Sequence, residues 1–216
     1  MKITLTLALL AGLSSAHYAL PPIGELRASS RLVNQSGTRR QLSQNANGFP
    51  LYTSTLDVPV DHFHNESRYE PHSNDTFKLR YHYDARYYKR GGPVIVLGSG
   101  EVQSVARIPY LQKGIVNMLA KATNGLGVIL EHRYYGVSYP VPDMSTENMR
   151  FLTTEQAMAD AAYFAQNVQF VGANITQDIN PPKTPWIFYG GSYAGAFAAF
   201  LRVQYPDVFW GQLISH

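Results

Sequence analysis

Trp186-Ile187-Phe188-Tyr189-Gly190-Gly191-Ser192-Tyr193-Ala194-Gly195 is the stretch on which the fold turns. Its first four residues form a short apolar run, as expected of a buried strand. The residues after Ser192 are small and then apolar, and predict a helix that ends near Gln204. A serine placed where a strand turns sharply into a helix has a particular chemical use. The turn lifts the hydroxyl above the sheet, and the helix N-terminus favours negative charge developing beside it. Small neighbours are needed because strand and helix come close, and Gly190, Gly191, Ala194 and Gly195 supply them. The usual spacing is Gly-x-Ser-x-Gly, and this chain departs from it only at Ala194. Ser192 is therefore a candidate nucleophile, with simple capping of the helix as the alternative role.

Upstream, the same alternation recurs. Pro93 to Leu97 and Leu126 to Leu130 read as strands buried on both faces. Between them Ile108, Leu111, Ile115, Met118 and Leu119 recur at helical spacing, with Asn124-Gly125 as a stop signal. Phe77 to Tyr88 partly alternates and suits an early antiparallel strand. Thr153 and Gln156 have capping-box spacing ahead of an apolar face at Ala157, Ala161, Phe164, Ala165 and Val168. A further strand is expected at Gly211 to Ser215. Strands alternating with helices of this length predict an α/β fold with a mostly parallel sheet.

The first sixteen residues have the layout of a secretory signal: a basic start, an apolar run from Ile3 to Leu13, and small residues before His17. Residues 17–50 are polar, without apolar periodicity, and are expected to be propeptide-like or loosely ordered. Residues 51–216 are expected to be the N-terminal part of the folded domain. Asn34, Asn65, Asn74 and Asn174 stand in Asn-x-Ser/Thr sequons, candidate glycosylation sites in an exported chain. The chain has no cysteine, so an apolar core must hold it, and 45% hydrophobic residues suffice for one domain. A net charge of +3 without a Lys/Arg cluster predicts no nucleic-acid partner. No later apolar run approaches membrane-spanning length, and no cofactor or metal is expected.

A serine hydrolase needs two N–H donors for the oxyanion. Tyr193 is placed to give one, and Gly98-Ser99-Gly100-Glu101, after an earlier strand, to give the other; an ordinary tight turn is the alternative reading of that loop. Acid and histidine follow the nucleophile in this arrangement. After Ser192 only Asp207 and the final residue, His216, are available, and neither is placed to serve, so the triad is incomplete in this chain.

The chain resembles the family S28 serine peptidases, the Pro-X carboxypeptidase and dipeptidyl peptidase II group with its secreted fungal members. The similar segments are Val58 to Phe63, Thr76 to Tyr81, Glu131-His132-Arg133-Tyr134-Tyr135-Gly136, Ser145 to Asn148, Leu152 to Ala157, and Gly190-Gly191-Ser192-Tyr193. The resemblance covers roughly Leu56 to Ser215. It implies an α/β-hydrolase core, a helical cap inserted after the nucleophile, cleavage after proline, and a triad acid and histidine far downstream. It also implies chains about twice this long, so that cap and C-terminal strands are missing here and the chain alone is inactive. Gly100 and Glu101 match the family's oxyanion loop, whereas Ser99 replaces its usual glycine.

Glu131, His132 and Arg133 have two readings, substrate positioning or a buried network bracing the turn. The expected protein is a serine peptidase acting on proline-containing peptides, secreted or delivered to a vacuole or lysosome. The alternatives are a non-catalytic secreted glycoprotein and, on the same core, a lipase or esterase.

Overall fold

The computed structural model describes residues 41–44, 50–171, 173 and 175–215. The expected signal segment, Asn34, Asn174 and His216 lie outside the described residues. Among the described residues seven strands form one sheet: β1 (Gln41–Gln44), β2 (Pro50–Pro59), β3 (Thr76–Asp84), β4 (Val94–Gly98), β5 (Leu126–Leu130), β6 (Trp186–Gly191) and β7 (Gly211–Ser215). Their order is β1-β2-β3-β5-β4-β6-β7. The first three run antiparallel to their neighbours, and β5, β4, β6 and β7 are parallel.

The two continuous apolar runs are the two central strands, β4 and β5. Successive side chains of a strand point to opposite faces. Val94 and Val96 accordingly join one core cluster, with Val128, Phe164, Trp186 and Phe197, while Ile95 and Leu97 join another, with Leu111, Val116 and Ala120. Helices α1 (Ile108–Gln112) and α2 (Ile115–Thr123) thus cover one face, and α3 (Thr154–Asn167) and α4 (Tyr193–Gln204) the other. Gly127 permits the first layer: a Cβ there would lie 2.9 Å from both Leu111 and Val116.

Four features differ from the sequence expectation. The helix predicted across Ile108 to Leu119 is two helices, because the N–H groups of Lys113 and Gly114 both donate to Pro109 and close the first helix. Met118, read as part of the apolar face, is exposed; Val116 and Ala120 are the residues of α2 that enter the core. β3 ends at Asp84, whose carboxylate accepts from the Arg86 N–H at 3.0 Å and turns the chain before Tyr88. Strand pairing is also found before Leu51, since Gln41–Gln44 pairs with Pro50–Thr53 through backbone bonds that need no apolar pattern.

Two helix-end signals are met at least in part. Thr153 caps α3 by accepting from the Gln156 N–H at 3.2 Å. The Gln156 side chain does not complete the capping box; it donates to Asp61 and accepts from the His62 N–H instead. Asn124 takes the left-handed conformation (φ 53°) that ends α2. Asn65 and Asn74 are both exposed on the β2–β3 connection. At the far side of the sheet β7 forms an edge, beside which Trp210, Leu213 and Ile214 are exposed. No helix among the described residues is long and apolar enough to cross a membrane.

Candidate active site

The chain leaves β4 toward one face of the sheet and β6 toward the other, so a crevice opens at the carboxyl ends of these neighbouring strands. The loop after β4 and the turn after β6 meet there. Ser192 has φ 54° and ψ −125°, a backbone conformation that side-chain-bearing residues rarely adopt. It is exposed at the apex of the turn. Gly190 makes that turn possible: a Cβ at this position would lie 1.9 Å from the Ala194 carbonyl oxygen. The Ala194 methyl, at the one departure from the usual spacing, faces a loop that is glycine at 98 and 100. A Cβ at those positions would approach it to 3.8 and 3.6 Å.

Backbone bonding separates committed donors from free ones. The Ser192 N–H donates to Ser215 at 3.2 Å, and the Ser99 N–H to Leu130 at 3.0 Å. Tyr193 opens α4, so its N–H has no intrahelical acceptor. Among the described residues, the N–H groups of Tyr193, Gly100 and Glu101 donate to no backbone carbonyl. Arg107 anchors the loop by donating to the Ser99 carbonyl at 3.2 Å. A depression of about 210 Å³ beside Ser192 is lined by Leu97, Tyr110, Tyr189 and Ser215. The larger one, about 850 Å³, runs along residues 166–183 near the opposite end of β6 and has no such chemistry.

Glu131, His132 and Arg133 follow β5, and each has a different task. Glu131 is buried and saturated. It accepts from Arg80 at 2.5 Å, from the N–H and hydroxyl of Ser104 at 2.7 Å, from the Val137 N–H at 3.0 Å and from Ser138 at 2.8 Å. His82, beside Ser104, is held down to about 4, first by burial and then by the Arg80 charge. Gly136 closes the turn over Glu131 at φ 60°, where a Cβ would stand 2.1 Å from the carboxylate. Gly136→Ala is expected to destabilise the protein by about 2–4 kcal/mol, through backbone strain and displacement of the carboxylate. A denaturant titration measures this, and a loss below about 0.5 kcal/mol would show that Glu131 can be moved without cost.

Arg133 is also fully buried. It makes a two-pronged pair with Asp160, both contacts at 2.6 Å, and donates to the carbonyls of Val60 and Phe151. Burial alone would raise the Asp160 pKa, but the Arg133 charge and the hydrogen bonds from Arg133 and His62 bring it below the usual carboxylate value. His132 faces the nucleophile turn. Burial lowers its pKa, so the ring is neutral at pH 7. Its Nδ1 lies 2.8 Å from the Arg133 carbonyl and so carries the proton, leaving Nε2 to accept from the Tyr193 hydroxyl at 3.2 Å. His132 thereby fixes the residue that follows Ser192.

The other described histidines are engaged elsewhere: His62 with Asp160, His72 with Asp61, His82 with Thr53 and Ser104, and His64 against the His72 ring. None of the five bonds to Ser192. Asp207 is exposed in the α4–β7 loop. Asp160, Arg80 and Ser104 were not singled out by the sequence. Asp160 carried a detectable signal, a carboxylate on the buried stripe of α3 between Ala157 and Ala161.

The sheet order, the helices on both faces and the strained serine after β6 define an α/β-hydrolase core. Residues 59–215 match the family described as Serine carboxypeptidase S28. The chain is 52% identical over 215 residues to a probable extracellular serine carboxypeptidase of Arthroderma benhamiae, covering all of this chain and 29% of that protein. It is 35% identical over 143 residues to human lysosomal Pro-X carboxypeptidase, covering 65% of this chain and 27% of that one. A solved homoserine O-acetyltransferase from Staphylococcus aureus superposes with a TM-score of 0.47 at 17% identity, over 76% of this chain and 46% of that one. The chain belongs to the serine carboxypeptidase S28 family. The chain covers less than a third of the length of each of these two curated relatives.

Proposed function

We propose that this chain carries the nucleophile half of a secreted serine peptidase that cleaves peptides on the carboxyl side of proline. The observation that carries this reading is the backbone of Ser192, φ 54° and ψ −125°, at the junction of β6 and α4. Such strain persists where the surrounding structure enforces it, and a nucleophile turn supplies the reason for it here.

In this reading the Ser192 hydroxyl attacks the carbonyl carbon of the scissile bond while its proton passes to a histidine. The N–H of Tyr193, with that of Gly100 or Glu101, stabilises the oxyanion. The tetrahedral intermediate collapses to an acyl-enzyme as the protonated histidine delivers its proton to the departing amine, and water then releases the acid. None of the described histidines bonds to Ser192, so in this reading the base and its acid come from sequence outside the described residues. The same sequence, including a cap, would cover the exposed apolar surface at Trp210, Leu213 and Ile214. Residues 1–216 alone are accordingly expected to be inactive.

Glu131 and Arg133 act as bracing in this scheme, and His132 as a positioning residue for Tyr193. Export to the cell exterior agrees with the name of the fungal relative, and a lysosomal or vacuolar destination with that of the human one. The test compares a prolyl peptide with a simple acyl ester as substrates of the full-length protein. Preferential cleavage after proline is the expected result. Faster ester turnover would replace the peptidase reading with an esterase one, and no turnover of either would favour a non-catalytic glycoprotein.

A further inference from the structure

The connection between β2 and β3 gathers a second set of chemically capable side chains, away from Ser192. Asp61, His64 and His72 each place one ligating atom within 4.8 Å of the other two. Asp61 is buried, His72 half-buried and His64 exposed, so the cluster is anchored at one side and open at the other.

The buried carboxylate is held in one orientation. Its Oδ1 accepts from the Phe63 N–H at 2.9 Å and from Gln156 Nε2 at 2.7 Å. Its Oδ2 is left facing His72 Nδ1, 2.7 Å away. The His64 ring lies 5.3 Å from that of His72. His62 is not part of the group, because its Nε2 is taken by Asp160.

We propose that Asp61, His64 and His72 form a binding site for a divalent transition-metal ion of the Zn²⁺ class, with water in the fourth position. Two imidazoles and one carboxylate suit such an ion, whereas Ca²⁺ and Mg²⁺ require oxygen ligands throughout. In a tetrahedral site with Zn–N and Zn–O bonds of about 2.0–2.2 Å, the ligating atoms stand about 3.4 Å apart. The three ligating atoms lie within 4.8 Å of one another, so the fit requires the exposed His64 ring to turn toward the other two. The Phe63 N–H and Gln156 are the outer groups that orient a ligating carboxylate in metal sites. Because Gln156 lies in the first turn of α3, the ion would tie the irregular 61–72 connection to that helix. No metal pattern is legible in the sequence, since the three ligands lie on one connection without regular spacing.

The competing account is a plain His72–Asp61 pair, in which His64 has no part. The full-length protein, stripped with a chelator, is titrated with Zn²⁺ by calorimetry and with Co²⁺ by visible absorption. One saturable site is expected, with Co²⁺ bands of a tetrahedral nitrogen–oxygen set. His64→Ala is expected to weaken Zn²⁺ by at least about tenfold and to abolish the Co²⁺ bands. It leaves the metal-free melting temperature unchanged, because His64 is exposed, and it preserves the sequon at Asn65. His72→Ala is expected to have the same effect on the metal. Absence of saturable binding at micromolar Zn²⁺, or binding that His64→Ala leaves unaltered, would overturn the assignment.

Discussion

Replacing Ser192 with alanine in the full-length protein is expected to lower peptidase turnover by a factor on the order of 10⁶ and to abolish labelling by a fluorophosphonate. Both effects follow from removal of the attacking oxygen, since the oxyanion donors and substrate contacts remain. Alanine at this position inherits the same positive φ, so the fold should not change, and an unaltered circular dichroism spectrum and melting temperature serve as the control. Labelling that persists in Ser192→Ala would place the nucleophile elsewhere and remove the basis of the proposed mechanism.

The second large effect is expected in stability. Arg133→Met removes a guanidinium that pairs with Asp160 and serves the carbonyls of Val60, Phe151 and Pro59. Methionine fills much of the volume but leaves Asp160 buried with His62 as its remaining partner. Breaking one side of a buried pair costs about 3–5 kcal/mol. The sign with pH follows from Asp160, whose folded pKa lies below its ordinary value. The stabilisation is complete above the unfolded carboxylate pKa of about 4 and is lost as pH falls through the lower folded value. The penalty measured by denaturant unfolding should therefore be largest near neutrality and shrink in acid. A cost below about 1 kcal/mol at pH 7 would mean that the pair is solvated or redundant.

What the sequence reveals here is what depends on neighbours along the chain. β4 and β5 are legible because a strand buried on both faces must be a short apolar run, and β6 because its apolar residues lead straight into the glycines of the turn. The turn at Ser192 is legible because strand, small residues and helix are consecutive. The break between α1 and α2 is not, since the apolar spacing of Ile108 to Leu119 runs across it and only the Pro109 carbonyl ends the first helix. Glu131 and Arg133 stand out as polar residues at a strand end, but their task is set by partners remote in sequence. Arg80 lies 51 residues from Glu131, and Asp160 lies 27 from Arg133. No local pattern distinguishes a carboxylate that binds substrate from one that braces a turn.

The geometry of Ser192 bears on how such a chain can change over time. A position held at positive φ is one where glycine is conformationally at ease and every other residue is under tension. Drift governed by stability alone would favour glycine at 192, while chemistry requires an oxygen there. The turn is thus a place where durability and reactivity select opposite residues. Chains of this family released from catalytic duty are expected to lose their serine early, with the surrounding glycines outlasting it.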